Sequence, residues 1–274
     1  MRHTPNAAAV RHMDTSDLRA NFMVTDLFAR GAIALRLLDL DRAVLGGVVP
    51  LDAPLALPNP TELRAEYFCE RRELGVLNIG GAGTVTVDDA AYALAAHDAL
   101  YVGRGARAIT FSSAEAAVPA RFYLVSYPAH AAFPTSRISP ADTDVLNLGS
   151  DESANKRQVR RYIHMKGVRS AQLVMGVTVL APGSVWNTMP AHVHDRRSEL
   201  YLYFDLPADA IVLHLVGEPT ETRTLVMRDG EVALSPGWSV HSGCGTRAYA
   251  FCWAMGGENQ DYADMDAVSM TTLR

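Results

Sequence analysis

The stretch VLNIGGAGTVTVDDAAYALAAHDALYVGRG, from Val76 to Gly105, decides the fold class. Within it Thr84, Thr86 and Asp88 alternate with Val85 and Val87. A period of two sends successive side chains to opposite faces of a strand, so one face of this segment is apolar. The preceding run Gly80-Gly81-Ala82-Gly83 supplies the permissive backbone that a tight corner needs. Working outward, the chain from about residue 66 reads as short strands between Gly, Pro, Asp and Asn turns, the pattern of an all-β barrel or sandwich. A second series of the same kind runs from Leu173 to Met255, through QLVMGVTVLAPG, ELYLYFDL, AIVLHLVG and AYAFCWAM. Helix signals are sparse. The best is Thr15–Phe22, where Ser16 and Asp17 can cap a short helix.

The two β-rich series resemble each other. Tyr67-Phe68-Cys69-Glu70-Arg71-Arg72-Glu73-Leu74 parallels His192-Val193-His194-Asp195-Arg196-Arg197-Ser198-Glu199-Leu200 with one residue inserted. Further on, the segment Asp98 to Gly105 parallels Val232 to Ser239. A duplicated barrel is therefore expected, with one half over residues 1–135 and the other over 156–274. Residues 136–155, which carry Pro140 and Gly149, would form the linker.

Composition narrows the function. The chain has 274 residues, 49% hydrophobic and 20% charged, enough to bury a sizeable core. A net charge of −5 with no basic stripe argues against nucleic acid as a partner. The N-terminal segment has no continuous apolar core of a signal peptide and no run is long enough to span a bilayer, so a cytoplasmic protein without membrane contact is expected. Cys69, Cys244 and Cys252 match no zinc knuckle or redox pair, which agrees with a reducing compartment. The lysines are Lys156 and Lys166, neither in a context that suggests Schiff-base chemistry.

The segment from Pro190 to Glu199 carries the chemistry. His192 and His194 are two apart and share one face of a strand, and a turn can bring Glu199 into the same pocket. Further along, Pro236-Gly237-Trp238-Ser239-Val240-His241 presents a third histidine. Three imidazoles and one carboxylate suit a divalent ion of the zinc, manganese, iron or nickel group, with an open position for substrate. The pattern resembles the two cupin motifs, HxH(x)4E and PxGxxH, with Trp238 where the second motif has glycine. In the first half the matching positions are Tyr67 and Cys69, so one metal per chain is expected. The charges Glu70, Arg71, Arg72 and Glu73 read as an ion-pair network or a subunit contact. His3, His12, His97, His130, His164 and His214 read as structural or solvent-facing, with His214 in the apolar run IVLHLVG a core histidine.

FCERRELGVLNIGGAGTVTVDD, LAPGSVWNTMPAHVHDRRSELYLYF, SPGWSVHSG and MGGENQDYADMD, together with DLRANFMVTDLF near the start, resemble the 5-keto-4-deoxyuronate isomerase family over nearly the whole chain. The resemblance implies a duplicated cupin, a homohexamer, and zinc held by His192, His194, Glu199 and His241. It also implies a ketol-isomerase of pectin-derived uronate breakdown. Moving a carbonyl from C1 to C2 of a uronate needs a Lewis acid, a proton carrier and a partner for the carboxylate. Glu258 is the candidate base; Arg157, Arg161 and Arg196 are candidates for the carboxylate. Three alternatives share the motifs: a deoxyglucuronate isomerase of inositol breakdown, an iron cupin oxygenase, and a sugar-acid-binding bicupin without turnover.

Overall fold

A computed structural model describes residues 1–274. The chain folds as two compact units, one of Met1–Arg2, Asp26–Asp144 and Tyr162–Val174, the other of His3–Thr25, Val145–Arg161 and Met175–Arg274. These boundaries depart from the expected halves in two places, because early residues join the second unit and residues 162–174 return to the first. The helix Thr15–Phe22 forms as expected, with Asp14 as its N-cap accepting from the Asp17 amide. Its last residue, Phe22, meets the Trp238 ring edge-on at 6.2 Å, and Met23–Val24 adds a strand beside Val232–Ser235. The expected linker is also structured: Ser136–Ile138 pairs with Ala99–Val102, and Asp144–Leu148 is an edge strand of the second unit's larger sheet.

In the first unit a six-stranded sheet runs in the order Ser136–Ile138, Ala99–Val102, Arg72–Asn78, Phe122–Pro128, Val44–Val48, Ile33–Leu37. A four-stranded sheet of Leu55–Ala56, Ile109–Ser113, Gly83–Val87 and Ala90–Leu94 packs onto it. The alternation read from the sequence appears directly, with Val85 and Val87 buried and Thr84 and Thr86 half-buried. The corner glycines are needed for close approach: a Cβ on Gly81 would collide with the Val118 carbonyl oxygen, and one on Gly80 with the backbone at Arg121. Leu74, Val76, Leu100, Val102, Phe122 and Leu124 of one sheet meet Val85, Val87, Ile109 and Phe111 of the other in an apolar core. Cys69 belongs to that core, and burial pushes its thiol up to about 12.

The second unit has a seven-stranded sheet in the order Met23–Val24, Val232–Ser235, Arg197–Phe204, Ala250–Gly257, Val174–Leu180, Arg157–Ile163, Asp144–Leu148. Its partner sheet runs Trp186–Asn187, Ser242–Gly245, Val212–Glu218, Glu221–Met227, and the short strand His192–Val193 pairs with Asp266–Ala267.

The sequence parallel sets Glu73 against Glu199, but the two carboxylates point to opposite faces. Leu74 pairs with Val102 and faces the first core, so Glu73 faces away from it, whereas Glu199 pairs with Ser235 and lines the cavity of the second unit. The extra residue, Ser198, shifts the register by one, and a one-residue shift exchanges the faces of a strand. Glu73 is fully buried and accepts from the Tyr101 hydroxyl at 2.8 Å and from the amides of Ala171, Gln172 and Leu173 at 2.6, 2.7 and 2.6 Å. Arg72 donates to Ser126 Oγ at 3.0 Å and to the carbonyls of Arg42 and Ser126 at 2.6 and 2.8 Å. The four charges thus form no common network. Only Glu70 and Arg71 pair, at 3.5 Å.

Replacing Glu73 by Ala leaves two buried amides, one partly buried amide and a phenol without their acceptor, a loss of about 3 kcal/mol or more. Denaturant unfolding of Glu73→Ala should show this loss, and Glu73→Gln, which keeps one carbonyl oxygen, a smaller one.

Candidate metal centre

Four side chains from three strand ends meet inside the second unit. His192 lies on the strand His192–Val193, His194 follows it, Glu199 is on Arg197–Phe204, and His241 immediately precedes Ser242–Gly245. One donor atom from each lies within 4.8 Å of the others. His192 Nε2 stands 2.9 Å from His241 Nε2 and 3.1 Å from His194 Nε2. Glu199 Oε2 stands 3.3 Å from His194 Nε2 and 3.1 Å from His241 Nε2.

Hydrogen-bond partners set the tautomers. His194 Nδ1 is 2.6 Å from the Asp264 carbonyl oxygen, which can only accept, so Nδ1 carries the proton and Nε2 a lone pair. His241 Nδ1 donates in the same way to the Ser239 carbonyl at 3.3 Å. Burial holds the His192 imidazole down at about 3 and that of His241 well below its usual range, so both are neutral. Imidazole lone pairs and a carboxylate facing one another at about 3 Å repel unless a proton or a cation lies between them. Bonds of about 2.0–2.1 Å in a tetrahedral arrangement separate donors by roughly 3.3 Å. The observed spacing fits such an ion, with His192, His194, Glu199 and His241 as the residues that could hold it.

The cluster opens into a cavity of about 250 Å³. Its apolar walls are Val159, Phe251, Trp253, Met255 and Met265, and its polar groups are Arg157, Thr178, Thr188, Tyr201 and Tyr262. Tyr201 contacts Thr188 Oγ1 at 3.1 Å, and burial raises both the Tyr201 and Tyr262 phenols above their usual range. Arg157 donates one nitrogen to the Asn155 carbonyl at 2.7 Å. Behind the cluster His214 is fully buried, as its apolar run implies, and meets the Tyr203 hydroxyl at 2.7 Å.

Of the sequence candidates, the four cluster residues come together and Arg157 reaches the cavity wall. Arg161 is not among the residues that line the cavity; its guanidinium sits 5.3 Å above the ring of Tyr262, which is. Arg196 and Glu258 correct the expectation: they pair with each other at the surface, both side chains more than half exposed, and neither lines the cavity. The chain turns at Gly257, with φ 145°, and the Glu258 amide bonds back to the Arg196 carbonyl at 3.0 Å, which sends both side chains outward. A base must reach the proton it moves, and Glu258 is not placed to do so. Sequence reasoning missed Tyr201, Tyr262 and Arg197. Tyr201 was legible as the residue two beyond Glu199 on the same strand face; Tyr262 arrives on an irregular C-terminal segment that leaves no pattern.

Fold and cluster together define a two-unit cupin-like protein whose second unit carries a three-histidine, one-glutamate centre. The chain belongs to the KduI/IolB family, whose model matches residues 53–270. A 4-deoxy-L-threo-5-hexosulose-uronate ketol-isomerase of Lachnoclostridium phytofermentans is 49% identical, over 100% of this chain and 99% of its own length. A second relative, 4-deoxy-L-threo-5-hexosulose-uronate ketol-isomerase 2 of Rhizobium meliloti, is 52% identical over 100% and 97%. Among solved structures, an IolB-like protein from Salmonella typhimurium aligns with TM-score 0.72 at 14% identity, covering 90% of this chain and 97% of its own. The Bacillus subtilis oxalate decarboxylase, studied for its Mn(II) centres, aligns with TM-score 0.57 at 11% identity over 89% and 80%. Likeness at such low identity speaks to the fold.

His192 and His214, both near 3, and His241, well below 6.5, have folded values beneath those of the unfolded chain. The unfolded state then binds more protons between about pH 6.5 and 3, so stability of the metal-free protein falls as pH drops through that window. Its thermal midpoint should be several degrees lower at pH 5 than at pH 7, and His214→Asn should reduce the difference.

Proposed function

We propose that the chain is an aldose–ketose isomerase. It converts 4-deoxy-L-threo-5-hexosulose-uronate to 3-deoxy-D-glycero-2,5-hexodiulosonate in the breakdown of pectin-derived uronates. The observation that carries this reading is the convergent His192, His194, Glu199 and His241 cluster in a chain about half identical, end to end, to ketol-isomerases of that substrate. These four residues hold one divalent ion, zinc in this reading. The bound ion supplies Lewis acidity to the carbonyl and hydroxyl oxygens of the C1–C2 unit.

The chain's own groups account for the rest. Arg157, on the wall with its remaining guanidinium nitrogens uncommitted to Asn155, anchors the uronate carboxylate. Tyr201 and Tyr262, held protonated by burial, donate hydrogen bonds to substrate oxygens. Phe251, Trp253, Met255 and Met265 restrict water around the reacting carbons. Glu199 is the carboxylate on the cavity wall, and both of its close contacts to the histidines use Oε2. A proton taken from C2 and returned to C1 therefore travels on Glu199 Oε1. Direct transfer of hydride from C2 to C1 is the route in which no carbon is deprotonated, the O2 proton alone passing to O1.

The deoxyglucuronate isomerase alternative is supported by the shared family and fold, but the IolB-like structure is only 14% identical. The homohexamer and the cytoplasmic location remain part of this reading on the strength of the sequence resemblance; no helix is long and apolar enough to cross a membrane.

The zinc-loaded protein should convert the 5-keto-4-deoxyuronate without oxygen, lose activity to a chelator, and regain it with added zinc. Product formation that stops when oxygen is withdrawn, or saturable binding without product, would rule the isomerase out. In deuterated water, label at the new C1 methylene assigns the proton route, and an unlabelled carbon the hydride route.

Two variants probe the site itself. His192→Ala combined with His241→Ala should empty the protein of its equivalent of metal by elemental analysis. Arg157→Ala should raise KM tenfold or more, the loss expected of a charged hydrogen bond worth about 1.5–3 kcal/mol.

A further inference from the structure

Arg197 stands between two ligands of the cluster in sequence and belongs to neither the ligand set nor the cavity wall. Its side chain is fully buried, and it shares a strand face with Glu199 and Tyr201. One nitrogen, Nη2, donates to the Asp264 carbonyl at 2.7 Å, the same oxygen that accepts from His194 Nδ1 at 2.6 Å. Nε lies 4.0 Å from the Asp264 carboxylate, and Nη1 has no hydrogen-bond partner. Nη2 also lies 3.2 Å from His194 Nδ1, and a guanidinium kept out of water with so few acceptors is costly.

The segment around Asp264 explains what is served. Gly257 ends its strand directly opposite Arg197, where a Cβ would collide with the Arg196 carbonyl oxygen and press on Arg197 Cα and Cγ at 2.8 and 3.0 Å. The chain then forms a strap over the cavity that contributes Tyr262 and Met265 to the wall. The strap is held at its far end by pairing of Asp266 and Ala267 with Val193 and His192. Midway, Asn259 bonds the Asp264 side chain and the Asp264 carbonyl rests on Arg197 and His194.

We propose that Arg197 is a positioning residue that ties the strap to the cluster. By holding one carbonyl it keeps His194 in the tautomer with a free Nε2 lone pair, and it keeps Tyr262 and Met265 seated over the cavity. Strap closure and ligand orientation are thus one event. The inference rests on the reading of His194 as a metal ligand, and disturbing the carbonyl partner of a ligating histidine typically changes metal affinity about 10–100-fold.

The test compares Arg197→Met and Arg197→Lys with wild type, using Arg196→Met at the neighbouring surface pair as control. Zinc affinity is measured by chelator competition, strap order by amide hydrogen exchange over residues 258–268, and KM and kcat are measured separately. For Arg197→Met the expected result is about 10–100-fold weaker zinc binding. Strap amides should exchange faster while the core strands stay protected, and KM should rise more than kcat falls at saturating zinc. Arg197→Lys, which keeps the charge and one donor, should recover part of each loss and decides the matter if the Met variant does not fold. Zinc affinity and strap protection both at wild-type values in the folded variants would overturn the proposal. If wild type itself binds no zinc, the metal reading fails separately, and unchanged strap exchange would then overturn the tie while faster exchange would uphold it.

Discussion

Three imidazoles and a carboxylate are turned toward one point inside a barrel, and the second unit is organised around holding those polar groups together out of water. The Asp264 and Ser239 carbonyls take the Nδ1 protons of His194 and His241, which commits each Nε2 to the centre. Burial keeps His192 and His241 neutral, the form in which an imidazole can offer a lone pair. Every other feature of the site follows from having strands deliver those four atoms to one place.

The first unit shows the same kind of framework put to another use. Its strands pair in a comparable antiparallel order, but Leu74 faces inward in the setting where the second unit has Glu199, and apolar side chains fill the interior. Glu73, turned outward by the one-residue difference in register, satisfies three backbone amides instead of lining a cavity. A single inserted residue separates a barrel that buries a carboxylate for structure from one that turns a carboxylate toward a cluster of histidines.

The cavity also depends on a segment with no regular structure. Between Gly257 and Ala267 the chain supplies two wall residues and the carbonyl that orients His194. An irregular strap can do this because its ends are pinned, by the close approach at Gly257 and by the short strand pair at Asp266–Ala267.

Much of this was written in local pattern. Alternation at Thr84–Val87 decided the strand faces, and the spacing of His192 and His194 placed both on one edge. The cap before Leu18 marked the helix, although Asp14 rather than Ser16 or Asp17 provides it. Periodicity works at short range because side-chain direction repeats every two residues along a strand. The tertiary structure alone decided the rest. It sent Glu258 and Arg196 to the surface as a pair, kept Arg157 on the cavity wall with Arg161 over the Tyr262 ring, and brought Tyr262 to the cavity and the Asp264 carbonyl to the cluster from the end of the chain. It also returned residues 162–174 to the first unit and 3–25 to the second. None of these carries a repeat or a spacing, because contacts between distant segments are set by how closely backbones approach and which way a turn exits, and neither quantity is encoded in any one stretch of residues.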